Sequence, residues 1–331
     1  MRSRRTWLSA ALPLVAALAI VGCGSSNSSS SSGAAAGTGT SSAPAATSST
    51  AAGTGTSASS GTGTAPASGG ANAAVAKLVP AVIKSKGTIT VAADASYPPD
   101  EFVGPDGHTV VGMDADLSKA LAATMGLKAN VVNATFDTII PGLASGRYDM
   151  GASSFTDTKA REKVVDFVDY FKAGTSFFTK SSGGTNVSGL AQLCGLSVSV
   201  ESGTTEESDA KAQSKKCTAA GKKAVNVLTF PTQTAANLAL SSGRAQVSMA
   251  DSPPAAYQVK KSNGAFKLTG NAYGVAPYGL AVPKKSGLGP AVLAALKALV
   301  ANGTYTKILD KWGVKDGAIP VSQMKINGAI S

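Results

Sequence analysis

The sequence predicts an α/β protein made of two successive units in which strands alternate with helices. Short runs rich in β-branched residues are followed by stretches whose apolar residues recur at helical spacing. The order strand–helix–strand–helix–strand occurs over 88–152 and again over 196–250. This order implies parallel strands joined by right-handed crossovers, and its repetition favours two lobes.

The individual elements follow from local patterns. Thr88–Ala93 alternates as a strand, whereas Asp114–Met125 places Leu117 and Leu121 on one helical stripe that ends at Gly126. The first unit continues with strands at Asn130–Asn133 and Tyr148–Ala152 and with a helix that Asp137 caps and Gly146 ends. The second unit has strands at Leu196–Val200, Val225–Thr229 and Gln246–Ala250 and helices at Glu206–Lys215 and Thr234–Ser242. The C-terminal part adds a strand at Gly279–Pro283 and helices at Pro290–Ala301 and Thr304–Trp312.

The N-terminal segment predicts export. Arg2, Arg4 and Arg5 precede an apolar stretch over 7–21, which is too short to remain in a bilayer as a transmembrane helix. The stretch ends in Gly22-Cys23, which resembles the bacterial lipobox, in which the cysteine is acylated and becomes the first residue. We therefore expect a lipoprotein signal peptide at 1–22 and a lipid anchor on Cys23 at the outer face of the cytoplasmic membrane. An ordinary signal peptide with an incidental cysteine is the alternative.

A low-complexity linker separates this segment from the folded body, which begins near Ala73. Residues 24–72 contain no charged or aromatic side chain and consist mainly of Ser, Gly, Ala and Thr. Such a composition cannot bury enough apolar surface to offset the entropy lost on ordering. We expect 23–72 to be a disordered linker with a reach of roughly 40 Å.

Composition argues against several classes of function. The formal charge of +11 falls to +8 without the three N-terminal arginines, and the remaining basic residues are scattered, which disfavours a nucleic-acid surface. The only histidine, His108, lies in a turn, so neither a histidine-dependent catalytic site nor a metal site is expected. Because Cys23 is assigned to the lipid, Cys194 and Cys217 are expected to form a disulfide in an oxidising compartment. We expect no cofactor and a monomer.

Candidate binding residues follow four of the predicted strands. Ligands of open parallel sheets bind beyond the carboxyl ends of the strands. The candidates at these ends are Asp94 and Tyr97, then Ser153, Ser154, Thr156 and Arg161, then Glu201, Gly203, Thr204 and Thr205, and finally Asp251. Arg161 and the helix start at 203–205 would hold a carboxylate, whereas Asp251 would meet an ammonium group. With Tyr97 and Phe136 as apolar walls, this set favours a zwitterionic ligand.

Each candidate also has a purely structural interpretation. Asp94 and Asp251 could cap helices or be solvated acids at strand ends, and Arg161 could belong to a surface charge cluster. Thr204 and Thr205 could only cap the following helix. Tyr97 and Phe136 could be ordinary core residues. Their common position at strand ends favours the binding role for the set.

The same residues give the chain a family resemblance. From Gly87 to Gly313 it resembles the family 3 extracellular solute-binding proteins, the polar amino-acid receptors of ABC importers. The motifs are Asp94 to Pro99, Gly112 to Leu117, Phe136 to Leu143, Ser153 to Arg161, Asp166 to Tyr170, Ser202 to Thr205, Gly303 to Tyr305, and Lys311 to Gly313. Each motif is weak alone, but their order along the chain is specific. One departure is Asp100-Glu101 before Phe102, where family members usually have Phe directly after the prolines.

The resemblance implies an α/β type II periplasmic-binding-protein fold with two α/β lobes joined by two crossing strands. Lobe 1 would comprise 80–176 and 277–331, lobe 2 would comprise 177–276, and the crossings would lie near 174–180 and 273–280. Family members bind the ligand α-carboxylate with residues matching Arg161, Thr156 and Thr205, and the α-ammonium with those matching Asp251 and Ser154. Residues matching Tyr97 and Phe136 flank the ligand side chain.

Two acids set the expected ligand. In family members that take basic amino acids, the residue matching Asp94 reaches the side-chain nitrogen, and Glu201 lies where the family varies its specificity. Two carboxylates facing one pocket repel each other unless a cation or an amide lies between them. Arginine, lysine or histidine is therefore favoured, glutamine comes next, and acidic amino acids are disfavoured. Alternatively, Glu201 points to solvent and sets nothing.

The expected function is that of a lipid-anchored receptor that binds a polar amino acid between two lobes and delivers it to an ABC permease in the membrane. A dehydratase- or lyase-like enzyme on the same fold is one alternative. A lyase would carry a further domain, and a dehydratase would have only Glu201 as its general acid or base. A sensory ligand-binding module is the other alternative, and it would carry a transmembrane or signalling segment.

Overall fold

The computed structural model describes residues 70–330. The predicted signal peptide, Cys23 and the linker up to residue 69 lie outside the described residues. Residues 70–330 include no helix that combines the length and the hydropathy needed to cross a bilayer.

Eleven strands form two sheets within the described residues. They are β1 (Thr88–Ala93), β2 (Ser96–Tyr97), β3 (Glu101–Val103), β4 (Val110–Val111), β5 (Lys128–Asn133), β6 (Met150–Gly151), β7 (Val165–Lys180), β8 (Ser197–Glu201), β9 (Asn226–Phe230), β10 (Val247–Asp251) and β11 (Phe266–Pro283). The large sheet has the order β5-β1-β6-β11-β7-β10-β8-β9. The small antiparallel sheet has the order β2-β3-β4.

Two long antiparallel strands join two parallel halves of the large sheet. In the first half β1 pairs in parallel with β5 and β6, and in the second half β8 pairs in parallel with β9 and β10. β7 and β11 pair with each other from Lys180 and Phe266 at one end to Val165 and Pro283 at the other. This arrangement confirms the expected fold of two α/β lobes joined by two crossing strands. The lobe boundaries given above remain a proposal.

Ten α-helices accompany these strands in the described part of the chain. They are α1 (Ala73–Leu78), α2 (Ala81–Lys86), α3 (Met113–Thr124), α4 (Phe136–Ala144), α5 (Lys159–Glu162), α6 (Thr205–Ala219), α7 (Gln233–Ser241), α8 (Ser252–Lys261), α9 (Leu288–Ala301) and α10 (Thr304–Trp312). Single 3₁₀ turns occur at Leu190–Leu193, Lys315–Gly317 and Val321–Gln323.

The core of the first lobe is built from the predicted helical stripe and from both ends of the described chain. Leu117 and Leu121 of α3 are buried, as their spacing predicts. They belong to one apolar cluster with Leu296 of α9, and Val75 and Val79 from the start of the chain join it. The core of this lobe therefore begins before residue 80.

The second lobe has its own core and a covalent brace. Val198 and Val247 from its parallel strands pack with Phe177 of β7 and with Cys217 of α6. Cys217 is bonded to Cys194, with 5.6 Å between the two Cα atoms. The predicted disulfide is therefore confirmed, and it ties α6 to the segment that precedes β8.

Some local predictions differ from the structure. The N-cap of α4 is Thr135, and Asp137 lies in the first turn instead, where a carboxylate favours the positive end of the helix dipole. The sequence at 158–161 predicts a turn, but Arg161 lies in the short helix α5. The strand predicted at 279–283 is only the end of β11, because residues 266–278 pair with β7 although they lack an alternating apolar pattern.

Candidate ligand-binding site

A polar cavity lies between the two lobes, at the carboxyl ends of their parallel strands. Eight of the residues that line it were expected from the sequence: Tyr97, Phe136, Ser154, Thr156, Arg161, Thr204, Thr205 and Asp251. The others are Glu206, Gln233, Ala250 and Pro254. Four expected residues do not line this cavity: Asp94, Ser153, Glu201 and Gly203.

The two lobes contact each other across the cavity. The Ser202 hydroxyl donates to Asp137 Oδ2 at 3.0 Å, and the backbone N–H of Gln233 donates to Ser96 Oγ at 3.2 Å. Gly203 has a φ of +77° and lies so close to α4 that an added Cβ would be 2.9 Å from the Cβ of Asp137. Only glycine accommodates both the conformation and the contact. The structure is therefore a closed arrangement of the lobes.

Arg161 is held by carbonyl groups from both lobes. Its Nη1 donates to the Thr156 carbonyl oxygen at 2.8 Å, and its Nη2 donates to the Gly203 carbonyl oxygen at 2.9 Å. The guanidinium carbon lies 5.3 Å from the ring centre of Phe136 and 5.6 Å from that of Phe155. Burial lowers the pKa of Arg161 from its ordinary value. Because Arg161 forms no ion pair among residues 70–330, its charge is free to bind an anion.

The start of α6 adds a second group suited to an anion. Thr204 is the N-cap, accepts from the Glu207 amide at 3.2 Å and donates its hydroxyl to the Glu201 carbonyl oxygen at 2.8 Å. The helix dipole therefore points its positive end at the cavity from beside Thr204 and Thr205. Capping and anion binding are compatible here, since the cap fixes the position of the helix terminus.

Asp251 and Ser154 also line the cavity. Asp251 occupies the N-cap position of α8 but makes no side-chain capping hydrogen bond, so the capping interpretation does not hold for it. Burial, followed by the charge of Glu206, raises the pKa of Asp251. Ser154 has a φ of +50°, and its hydroxyl is 3.1 Å from Asp100 Oδ2. Both side chains therefore offer oxygen acceptors near the cavity.

Asp94 and Glu201 form a buried acidic pair beside Tyr97. Glu201 is 0% exposed, so it does not point to solvent, and both its carboxylate oxygens lack a hydrogen-bond partner, as does the Tyr97 hydroxyl. Burial, and next the charge of Asp94, raises the pKa of Glu201 to about 10. Asp94 Oδ2 accepts from the Phe136 amide at 2.9 Å, so Asp94 also caps α4 from another element. Burial likewise raises the pKa of Asp94.

Three further acids lie behind the cavity in the first lobe. Asp100, Glu101 and Asp114 are all fully buried. The Ser153 hydroxyl donates to Glu101 Oε1 at 2.9 Å and accepts from the Asp94 amide at 2.8 Å. Ser153 therefore supports Asp94 rather than facing the cavity.

Phe102 does not supply an aromatic wall to the cavity. Its ring packs edge-on against Trp312, with 5.7 Å between the ring centres. The aromatic contacts inside the cleft come from Tyr97 and Phe136, whose ring centres are 5.9 Å apart.

Two polar cavity residues were missed by the sequence reasoning although a signal existed for each. Glu206 directly follows Thr205 in the first turn of α6, where side chains point toward the helix start. Gln233 follows β9, the parallel strand of the second lobe after which the sequence analysis places no candidate. The rule that ligands bind beyond strand ends would have included it.

Two α/β lobes closing on a polar cavity define a solute-binding protein of the type II fold. The family described as bacterial extracellular solute-binding proteins, family 3, matches residues 89–315. The chain therefore belongs to this family.

Named relatives and solved structures agree with that assignment. The arginine-binding protein ArgT of Corynebacterium glutamicum is 35% identical over 243 residues, which cover 73% of this chain and 79% of ArgT. The structure of an ancestral arginine-binding protein bound to arginine is 37% identical in sequence and has a TM-score of 0.63. The match covers 68% of this chain and 98% of the ancestral protein. AncCDT-1 is an ancestral amino acid-binding protein and a precursor of cyclohexadienyl dehydratase. It is 34% identical to this chain, has a TM-score of 0.63, and the match covers 70% of this chain and 97% of AncCDT-1.

Proposed function

We propose that this chain is a lipid-anchored extracellular receptor that binds a basic amino acid between its lobes and delivers it to an ABC importer. The observation that carries the ligand class is the pair Asp94 and Glu201. Both are buried, and none of the ion pairs among residues 70–330 involves either of them. The pair lies beside Tyr97, which lines the cavity, although neither acid lines the cavity itself. Burying charges without a partner is strongly unfavourable, so the cationic end of a ligand that extends past Tyr97 is the group that suits this pair.

The proposed roles of the site residues follow from their positions. Arg161, with Thr156 and the start of α6 at 203–205, binds the α-carboxylate, whereas Asp251 and Ser154 accept from the α-ammonium. Tyr97 and Phe136 flank the aliphatic part of the ligand, and Ser153 supports Asp94. Asp94 and Glu201 bind the distal cation, and glutamine is the neutral ligand that fits them next best.

Arginine fits this arrangement best. The two carboxylates and the Tyr97 hydroxyl together offer acceptors to several donors, and the planar guanidinium has five. The relative ArgT is named for arginine, and the ancestral protein was solved with arginine bound. An acidic ligand would add a third negative charge to this pocket.

An enzyme on the same fold is the second candidate, and one specific observation favours it. AncCDT-1 is described as the precursor of a dehydratase. Glu201, whose pKa is raised to about 10, would be the proton donor of such an enzyme. We favour the receptor because AncCDT-1 itself is described as an amino acid-binding protein.

Calorimetric titration of the protein, after unfolding and refolding to remove any bound ligand, tests the ligand class. We expect saturable binding of arginine, lysine or histidine, weaker binding of glutamine and none of glutamate. Tight binding of glutamate without binding of those four amino acids would contradict the proposal. Turnover of a bound amino acid would favour the enzyme.

Anchoring and location are tested separately. We propose that Cys23 is the acylated first residue and that the receptor sits on the outer face of the cytoplasmic membrane, close to its permease. Intact mass measurement of the membrane fraction should show an acylated chain that begins at Cys23. A soluble mature chain without acyl groups would contradict this part.

A further inference from the structure

Glu206 is a buried acid at the cavity that none of the roles above uses. It is 4% exposed and lines the cavity together with Arg161 and Asp251. A buried carboxylate needs compensation, either from a positive charge or from hydrogen-bond donors. A ligand in the cleft could supply that compensation to Glu206.

Two hydroxyl groups fix the Glu206 carboxylate in place. Thr175 Oγ1 donates to Glu206 Oε1 at 2.6 Å, and Thr205 Oγ1 donates to Oε2 at 3.1 Å. Thr175 belongs to the crossing strand β7, so the hydroxyl that orients Glu206 comes from the connection between the lobes. Each carboxylate oxygen accepts two hydrogen bonds, so both oxygens retain capacity toward the cavity.

The Glu206 side chain forms no ion pair among the described residues, although Arg161 lines the same cavity. Arg161 instead donates to the Thr156 and Gly203 carbonyl oxygens. Asp251 lines the same cavity and lies close enough to Glu206 for a side-chain hydrogen bond, and the charge of Glu206 helps to raise the pKa of Asp251. Two ionised acids that lie side by side repel each other unless a cation lies between them.

We infer that Glu206 and Asp251 together bind the α-ammonium group of the ligand, so that the site selects amino acids with a free, charged α-amino group. An ammonium group has three donors, and the two carboxylates and the Ser154 hydroxyl, which all line the cavity, supply one acceptor group for each. This inference rests on the proposed function, and it adds Glu206 as a specificity-determining residue.

The test compares L-arginine with 5-guanidinopentanoic acid, which has the same carboxylate and guanidinium but no α-amino group. Calorimetry of the full-length Glu206→Gln variant should show affinity for L-arginine reduced roughly 10- to 100-fold. Affinity for 5-guanidinopentanoic acid should change by no more than about 3-fold, because this compound has no α-amino group and makes no hydrogen bond to Glu206 that the variant could lose. Thr175→Val, which removes the hydroxyl that orients Glu206, should also weaken L-arginine more than 5-guanidinopentanoic acid, but by a smaller factor than Glu206→Gln does.

Asp209→Asn is the matched control. Asp209 lies one turn further along α6, accepts from the Tyr273 hydroxyl at 2.8 Å and does not line the cavity. This variant loses one charge from the same helix and should bind both compounds as the wild type does.

The outcomes separate this inference from the proposed function. Equal weakening of both compounds in Glu206→Gln would overturn the inference, because Glu206 would then act through Arg161 or the crossing strand. Unchanged binding of both compounds would overturn it as well. A wild-type chain that binds neither compound would overturn the proposed function together with the inference.

Discussion

Two groups of buried acids differ in how their oxygen atoms are satisfied. In the interior of the first lobe, Glu101 accepts from Ser153 and Ser154, and Asp114 accepts from the Tyr170 hydroxyl at 2.6 Å and the Ser154 amide at 2.9 Å. At the cleft, both carboxylate oxygens of Glu201 are buried without any partner.

The difference separates acids that support the fold from the acid that we propose binds the ligand side chain. Burial raises the pKa of both Asp114 and Glu201, but hydrogen bonds from Tyr170 and Ser154 limit the value for Asp114 to about 6. At Glu201, burial and the charge of Asp94 outweigh the lowering influence of the nearby Tyr97 hydroxyl, and the pKa rises to about 10. A buried acid whose oxygens accept hydrogen bonds from the protein stabilises one folded structure. A buried acid without such donors can instead be paired by a bound ligand.

The largest expected effect tests the opposite end of the cleft. Arg161→Ala removes the only arginine that lines the cavity and should weaken all amino-acid ligands by about 2–5 kcal/mol, roughly 30-fold to several thousand-fold. Calorimetry checks this. Arg244→Ala is the matched control, because Arg244 also lies over an aromatic ring, Phe230, at 5.4 Å but does not line the cavity. Binding by Arg161→Ala within a few-fold of the wild type would contradict the assigned role.

The second prediction tests the unsatisfied acid directly. Glu201→Gln should weaken arginine roughly 10- to 100-fold, because a neutral amide replaces a charged acceptor. Citrulline, which has nearly the shape of arginine but no side-chain charge, should bind the variant no more weakly than it binds the wild type. Titration of both ligands measures the ratio. An unchanged ratio of arginine to citrulline affinity would remove Glu201 from the specificity pocket.

The third prediction tests the satisfied acid. Asp114→Asn places an amide donor against the Tyr170 hydroxyl or the Ser154 amide, and it should lower the free energy of unfolding by about 1–3 kcal/mol. The arginine-to-citrulline ratio should stay as in the wild type. Urea unfolding and calorimetry check the two parts. A large change in the arginine-to-citrulline affinity ratio with an unchanged free energy of unfolding would show that Asp114 serves ligand binding and not the fold.

The smallest expected effect concerns a third acidic pair, outside the cleft. Asp157 and Asp169 are buried together, and burial followed by the charge of Asp157 raises the pKa of Asp169 from 3.8 to about 8. Between these values the folded protein binds more protons than the unfolded chain, so stability from this group is present at low pH and falls as pH rises from about 4 to 8.

Asp169→Asn should remove that slope, because the amide does not ionise. Melting temperatures measured from pH 4.5 to 8 should converge at low pH and differ by about 2–4 °C in favour of the variant at pH 8. Asp316→Asn, at an acid in a 3₁₀ turn outside this pair, is the control and should keep the slope of the wild type. The same slope in Asp169→Asn and the wild type would show that the pair does not control the pH dependence.

Local pattern determined much of the fold. The bounds of β1 and α10 are those predicted, because side-chain periodicity and flanking residues act within a few positions of the chain. The strand-end rule, with the family resemblance, also identified eight of the twelve cavity-lining residues, since parallel strands place their carboxyl ends together. The sequence also indicated the disulfide between Cys194 and Cys217.

Only the tertiary structure decided which acids are satisfied. Asp100, Glu101 and Glu201 are all acids beside short strands, and the sequence does not show which of them meets a serine or tyrosine hydroxyl. Those partners lie far along the chain, as Glu101 and Ser153 do, or come from a crossing strand, as Thr175 does for Glu206. Burial and hydrogen bonding at this site depend on tertiary contacts between distant segments and between the two lobes. Local sequence preferences do not specify those contacts.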